Sequence, residues 1–191
     1  MGASPPGVPV ADERGSLRTS TALTSADQPP GALRDVIEIG VSLLGPRTGG
    51  IEHAGSVLVR PSSTVVTPYC AELTGITPER ASTGLAFVDA CAWLQSKYRS
   101  EQRAWASYGA FDFIQLATQC EREGVAFPLS DEHINIKLLA ALRLGLRKGR
   151  GLGQALSQLG MDFEGRPHSA RDDAVNAARV LHAVLRGPVT R

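Results

Sequence analysis

The chain has 191 residues, of which 42% are apolar, and a formal net charge of +1. This length is typical of one domain with a substantial core, and no apolar run approaches the roughly 18 residues of a membrane-spanning helix. The near-zero charge excludes a global field that attracts nucleic acid, so phosphate binding would need a local patch. The N-terminus has no basic region followed by an apolar block, so we expect no secretory signal and a cytoplasmic protein. Cys70, Cys91 and Cys120 are odd in number and lie among apolar residues, which indicates reduced core thiols.

The first convincing structure follows a poorly patterned N-terminal segment. Residues 1–30 are rich in Pro, Ser and Thr, and we predict that they are poorly ordered or divergent. Residues 35–44 carry the branched apolar residues of a strand, and residues 51–60 predict a second strand joined to it through Gly49 and Gly50. The two strands predict a hairpin. We therefore expect one folded domain over residues 31–187 and a tail over residues 188–191.

The remaining elements alternate between helices and strands. Gly75 is expected to end one short helix, and Thr77 to begin another that has Pro78 at its first position. In the helix at 111–123, the residues expected to face inward are Phe111, Ile114, Leu116, Ala117 and Cys120. The other predicted elements are a helix at 85–98, a strand at 103–108, helices at 137–144 and 151–159, and a C-terminal helix ending near residue 187. This order predicts an α/β fold, a mixed sheet with helices packed on its faces.

The segment 165–181 holds the most chemistry per residue. Ser169 can cap a helix with Asp172 at its third position, and Asp173 then shares a helical face with buried alanines. A carboxylate on a buried face needs a counter-charge such as a metal ion, or a place at the rim of a cleft. His168 would overhang the same rim. The alternative is that both aspartates only complement the positive helix N-terminus and that His168 is an ordinary loop histidine.

The spacing of His168, Ala170 and Asp173 fits the pattern H-x-A-x-x-D. The segment around them resembles the third motif of the DEDDh superfamily of 3'-5' exonucleases, and it is most similar to the Eri-type or KapD-like RNA exonuclease branch. Six other segments are similar to that branch in the same order: V-I-E-I-G at 36–40, V-R-P at 59–61, E-L-T-G-I-T at 72–77, S-Y-G-A-F-D at 107–112, I-N-I-K at 134–137 and G-L-G-Q-A-L at 151–156.

The resemblance implies a ribonuclease H-like mixed sheet with helices on both faces. It also implies hydrolysis of RNA or single-stranded nucleic acid from the 3' end with two Mg²⁺ or Mn²⁺ ions. In these roles His168 is the general base, and Asp112 and Asp173 are metal ligands. Leu73, Thr74 and Ile76 correspond to substrate-binding positions near the terminal nucleotide, with ordinary turn packing as the alternative. No membrane partner is expected.

The first motif of the family, a D-x-E pair of metal ligands, is missing. Alignment on residues 29–31 puts Arg18 and Ser20 at these two positions. Loss of two anionic ligands weakens metal binding, so a pseudo-exonuclease that binds nucleic acid or a protein partner is an alternative function. Glu38 could substitute as a ligand, but a structural role for it is the favoured interpretation. A DNA-proofreading or deoxyribonuclease role is a minor third hypothesis, because the segments that flank the third motif resemble the Eri-type branch rather than polymerase-associated exonucleases.

Arg143, Arg147, Lys148 and Arg150 form a basic cluster among glycines. They could contact phosphates, or they could only stabilise the C-terminus of the preceding helix. Stabilisation of the helix is the favoured interpretation of the two.

Overall fold

The computed structural model describes residues 19–25 as a backbone strand, and residues 34–45 and 48–186 in full. These residues form one five-stranded mixed sheet. Its strands are β1 (Thr19–Ser25), β2 (Val36–Leu44), β3 (Ile51–Leu58), β4 (Trp105–Ser107) and β5 (His133–Asn135). The helices are α1 (Pro68–Thr74), α2 (Pro78–Ser82), α3 (Phe87–Tyr98), α4 (Phe111–Glu123), α5 (Ile136–Arg143), α6 (Leu152–Gln158) and α7 (Ala170–Arg186), with a 3-10 turn at Ser100–Gln102.

The strand order is β3-β2-β1-β4-β5. β2 and β3 form the predicted antiparallel hairpin, β1 pairs antiparallel with β2, and β1, β4 and β5 run parallel. The sequence did not predict β1, because Thr and Ser predominate in it and hydrophobic periodicity gives no signal there. Pairing with a neighbour on each side overrides that weak local preference. The sheet of the domain therefore includes a central strand from the segment that the sequence treated as divergent.

Helices cover both faces of the sheet, as predicted. The side chains of β2 alternate, so Ile39 and Val41 join the core formed with α3 and α4, while Leu44 joins the core formed with α5, α6 and α7. A smaller cluster around Ile37 packs beneath α1 and α2. None of the helices in the described residues is long and apolar enough to cross a bilayer. All three cysteines are buried free thiols.

The buried face of α4 differs from the prediction. Phe111 and Ile114 are 48% and 57% exposed, whereas Leu116 and Cys120 are buried as expected. The inward face also carries the fully buried Gln119, whose Oε1 accepts a hydrogen bond from the Val36 N–H at 2.8 Å. A hydrophobic pattern does not assign a glutamine to the buried face of a helix. It therefore put Phe111 and Ile114 on that face, although both are exposed.

Candidate active site

The first turn of α7 lies directly on β2. Glu38 is 6% exposed, and its Oε2 accepts a hydrogen bond from the Ala170 N–H at 3.0 Å. A Cβ added at Gly40 would lie only 2.0 Å from the carbonyl carbon of Ala170, so the strand backbone and the helix touch without an intervening side chain. Ser42 Oγ donates to the Ala174 carbonyl at 3.3 Å. Alternate residues of β2 therefore fix the start of α7.

This contact gives Glu38 the structural role that the sequence favoured. Its carboxylate bonds one of the N–H groups that a helix N-terminus leaves without an intrahelical partner. Asp172 does not close the predicted capping box: its Oδ2 accepts from the Arg166 N–H at 2.9 Å instead. The helix still begins after Ser169, as predicted.

His168 and Asp173 meet at the start of α7. His168 is exposed and has a φ of 67°, in the left-handed region that non-glycine residues rarely occupy. Its backbone N–H donates to Asp173 Oδ1 at 3.4 Å. Such a backbone conformation costs on the order of 1 kcal/mol or more and is often found at functional sites. The two predicted site residues are therefore held together by the geometry of this loop.

The carboxyl of Asp173 is poorly compensated. Burial raises its pKa to about 6, and the neighbouring carboxylates of Asp172 and Glu38 add to the effect. The backbone N–H and the imidazole of His168 oppose the rise without cancelling it. A cation placed beside Asp173 would reverse this balance, because it would stabilise the ionised form.

Arg166 joins the third motif to the E-L-T-G-I-T turn. Its Nη2 donates to the Glu72 carbonyl at 3.4 Å, and its guanidinium occupies the space that a side chain at residue 75 would need. Gly75 has a φ of 73° at the end of α1. No sequence pattern marks Arg166, since only the packing of two distant loops reveals its contacts. The predicted nucleotide-binding turn is thus adjacent to the loop of His168.

The three predicted substrate-binding residues differ in their exposure. Thr74 and Ile76 are 6% and 1% exposed. Thr74 Oγ1 donates to the Cys70 carbonyl at 2.8 Å and accepts from the Ile76 N–H at 3.1 Å. Leu73 is partly exposed, so it alone of the three can offer its side chain to a ligand at this turn.

Asp112 lies in the first turn of α4, just beyond the carboxyl end of β4. At the end of β4, Ser107 Oγ donates to the Gly109 carbonyl at 2.7 Å and lies 2.9 Å from His133 Nε2. Gly109 has a φ of 108°, which only glycine adopts readily. Asp112 is partly buried and has contacts of its own.

One of the two predicted first-motif positions, Ser20, lies on the central strand. Ser20 pairs with Ser42 of β2 on one side and with Ala106 of β4 on the other. It therefore lies between the strand under α7 and the strand that leads to Asp112. Arg18 lies outside the described residues.

A metal-ion site is only partly present. Asp173 is a suitable donor, because its desolvated carboxyl lies among other acids. In the described part of the chain, however, no three His, Cys, Asp or Glu side chains converge closely enough to hold a metal ion. The described donors therefore do not complete a two-ion set.

The sheet order, the helices on both faces and the paired His168 and Asp173 define a ribonuclease H-like domain of the DEDDh nuclease class. The chain belongs to the exonuclease family RNase_T, which matches residues 24–181. This match begins after Arg18 and Ser20. Enzymes of the DEDDh class depend on divalent metal ions.

Two relatives and two solved structures illustrate the similarity. Human 3'-5' exoribonuclease 1 is 30% identical over 169 residues, which cover 82% of this chain and 48% of that protein. The 3'-5' exonuclease Snipper of Drosophila melanogaster is 27% identical, over 80% of this chain and 61% of that protein. This chain thus spans about half the length of the human relative.

The similarity to solved structures extends over more of both chains. The nuclease domain of 3'hExo, described as a DEDDh family member bound to rAMP, superimposes with a TM-score of 0.80 at 26% identity, over 92% of this chain and 94% of that one. A 3'-exonuclease whose structure concerns 3'-end recognition of the histone mRNA stem-loop gives a TM-score of 0.79 at 26% identity, over 87% and 80% of the two chains. The predicted fold class is confirmed.

Proposed function

We propose that this chain is a divalent-metal-dependent 3'-5' exonuclease that removes nucleotides from the 3' end of RNA or other single-stranded nucleic acid. The observation that carries the proposal is the pairing of His168 with Asp173 at the start of α7, beside the turn that ends α1. The names of its relatives, 3'-5' exoribonuclease 1 and Snipper, support the same reaction and polarity.

Each proposed site residue has one role. His168 is exposed on the loop before α7 and accepts the proton of the attacking water. Asp173 and Asp112 bind Mg²⁺ or Mn²⁺, which when bound stabilises the charge on the phosphate oxygens. Leu73 packs against the terminal nucleotide, and the backbone of Thr74 and Ile76 shapes that turn. Arg166 holds the turn next to His168 through its bond to the Glu72 carbonyl.

Metal binding is expected to be weak. Hard divalent cations need several oxygen ligands, and Arg18 and Ser20 supply no carboxylate where the family has two. A low metal affinity lowers the rate at a given metal concentration without changing the polarity of the reaction. The cytoplasm is the proposed compartment, because three buried free thiols are compatible with a reducing environment.

The incomplete ligand set favours a second candidate function. In it, the chain binds the 3' end of nucleic acid, or a protein partner, through the same surface and does not cut. The supporting observation is that no three potential ligands converge in the described residues.

Incubation of 5'-labelled single-stranded RNA with the protein and Mn²⁺ separates the two functions. The exonuclease predicts a ladder that shortens one nucleotide at a time from the 3' end and is absent with His168→Ala. A labelled DNA of the same sequence measures the preference for the sugar. RNA that is bound but stays intact at saturating Mn²⁺ would contradict the exonuclease and support the second candidate.

A further inference from the structure

Residues 144–151, which we call the basic loop, connect α5 to α6 and contain no acidic residue. Arg147, Lys148 and Arg150 are exposed on it. Within the part of the chain that the structure describes, none of these three side chains forms an ion pair. Three cations without a carboxylate partner are available to bind an anion.

The cations of the basic loop are not used as hydrogen-bond caps of α5 in the described residues. The last carbonyls of this helix accept backbone hydrogen bonds: Leu144 N–H donates to Ala140 at 2.9 Å and Leu146 N–H donates to Ala141 at 2.8 Å. Among the described contacts, no side chain of the three cations bonds a carbonyl of α5. The Ala140 and Ala141 carbonyls are therefore satisfied without the three cations.

The basic loop is fixed beside the segment S-Y-G-A-F-D at 107–112. Tyr108 Oη donates to the Arg150 carbonyl at 3.0 Å, and burial raises the pKa of this phenol to about 12, so it remains a donor at neutral pH. The aliphatic part of Lys137 fills the space where a side chain at Gly149 would lie, and it approaches the Cβ position of Gly109 to 3.7 Å. Gly109 is three residues before Asp112, so the loop cannot move away from the proposed site without breaking these contacts.

We propose that the basic loop binds backbone phosphates of the nucleic acid strand upstream of its 3' end. This inference rests on the proposed function, because it extends the substrate surface from the terminal nucleotide to the preceding ones. Flexible cations on a glycine-containing loop bind phosphates without reading sequence. Longer strands should therefore bind more tightly than short ones, and the difference should depend on salt.

The test measures binding in a chelator, so that it does not depend on hydrolysis. Fluorescence anisotropy compares a single-stranded RNA dodecamer with a trimer of the same 3' sequence, over a range of NaCl concentrations. The variant is Arg147→Gln with Lys148→Gln and Arg150→Gln. The matched control removes three exposed cations elsewhere, by Arg60→Gln with Lys97→Gln and Arg99→Gln. Circular dichroism confirms that both variants are folded.

We expect the loop variant to bind the dodecamer about 10- to 100-fold more weakly and to reduce the log–log salt slope by about 2, since each phosphate contact on a single strand contributes about 0.7. Trimer binding and the control variant should stay within about twofold of the wild type. A wild-type affinity and slope in the loop variant would overturn the inference, as would equal losses for dodecamer and trimer.

Two further outcomes distinguish this inference from the exonuclease proposal and from binding of the loop to a membrane. Tight wild-type binding of RNA that is never cut, with binding lost in the loop variant, supports the inference while the exonuclease proposal fails. Binding of the loop to phosphatidylserine vesicles, with RNA binding unchanged in the variant, would instead make it a membrane contact and overturn the inference.

Discussion

The contact between Gly40 and α7 predicts a large effect of Gly40→Ala. The added Cβ would lie 2.0 Å from the carbonyl carbon and oxygen of Ala170 and 2.5 Å from the Arg171 nitrogen, whereas real Cβ contacts essentially never fall below 3.0 Å. The clash is with backbone atoms, so no side chain can rotate away. The start of α7 must therefore withdraw from β2 by at least about 1 Å.

The free-energy cost has two parts. Overpacking of a buried site costs about 1–3 kcal/mol. Withdrawal also stretches the 3.0 Å bond between Glu38 and the Ala170 N–H, and a hydrogen bond to a charged group contributes about 1.5–3 kcal/mol. Gly40→Ala should thus lower the free energy of unfolding by about 3–5 kcal/mol. Because His168 and Asp173 move with the helix, hydrolysis should fall by about 100-fold or more.

Urea unfolding followed by circular dichroism measures the first effect, and the RNA ladder measures the second. Gly153→Ala is the control, because a Cβ there meets nothing within 4 Å. It lies in α6, where alanine should be neutral or stabilise the helix by up to about 1 kcal/mol. Equal stabilities of the two variants would refute the assignment of α7 to a direct contact with β2.

Three further predictions concern the same site. Asp173→Asn should stabilise the metal-free protein at neutral pH by at most about 3 kcal/mol, because the raised pKa makes ionised Asp173 unfavourable. The stability that Asp173 contributes is fully present below its ordinary pKa of 3.8 and is lost as the pH rises through about 6. Urea unfolding midpoints measured in a chelator should therefore fall over this pH range in the wild type and not in Asp173→Asn. A pH profile of the variant that equals that of the wild type would contradict the prediction. Arg18→Asp combined with Ser20→Glu should raise the Mn²⁺ affinity and the hydrolysis rate by at least about 10-fold, because it restores two carboxylates. The control Ser25→Glu should raise neither. Equal Mn²⁺ affinities of the double variant and the control would show that residues 18 and 20 are not the ligand positions. Arg166→Ala should weaken binding of the RNA trimer by about 10-fold and lower the free energy of unfolding by about 1 kcal/mol, because the hydrogen bond to the Glu72 carbonyl is lost. The control is Arg179→Ala, since the Arg179 guanidinium donates to the Asp162 carbonyl instead. Equal trimer affinities of the two variants would refute the role of Arg166.

The sequence predicted most elements of the fold because their apolar residues are regularly spaced. The hairpin of β2 and β3 and the helix at Phe111–Glu123 follow from such patterns. β1 could not be predicted in this way, because a central strand of Thr and Ser gains its stability from pairing with a strand on each side, and one of these, β4, is distant in sequence. Gln119 shows the same limit within a helix, since its buried amide is explained only by the Val36 N–H.

The contact between His168 and Asp173 was predictable from the sequence, whereas other contacts of the candidate site were not. His168 and Asp173 are close in sequence, so the start of one helix brings them together. Arg166, by contrast, acts on the Glu72 carbonyl from a distant loop, and Glu38 acts on the Ala170 N–H from another strand. Only packing reveals such partners, although the glycine at position 40, next to I-E-I, marks the place of close approach.

Calorimetric titration of the metal-free protein with Mn²⁺ tests the central claim most directly, because the claim requires a divalent ion at the carboxyl of Asp173. We predict binding that is abolished by Asp173→Asn, weakened by Asp112→Asn and unchanged by Asp162→Asn, which lies on the loop before α7. Failure of the wild-type protein to bind Mn²⁺, or binding that survives Asp173→Asn unchanged, would contradict the proposed metal-dependent site.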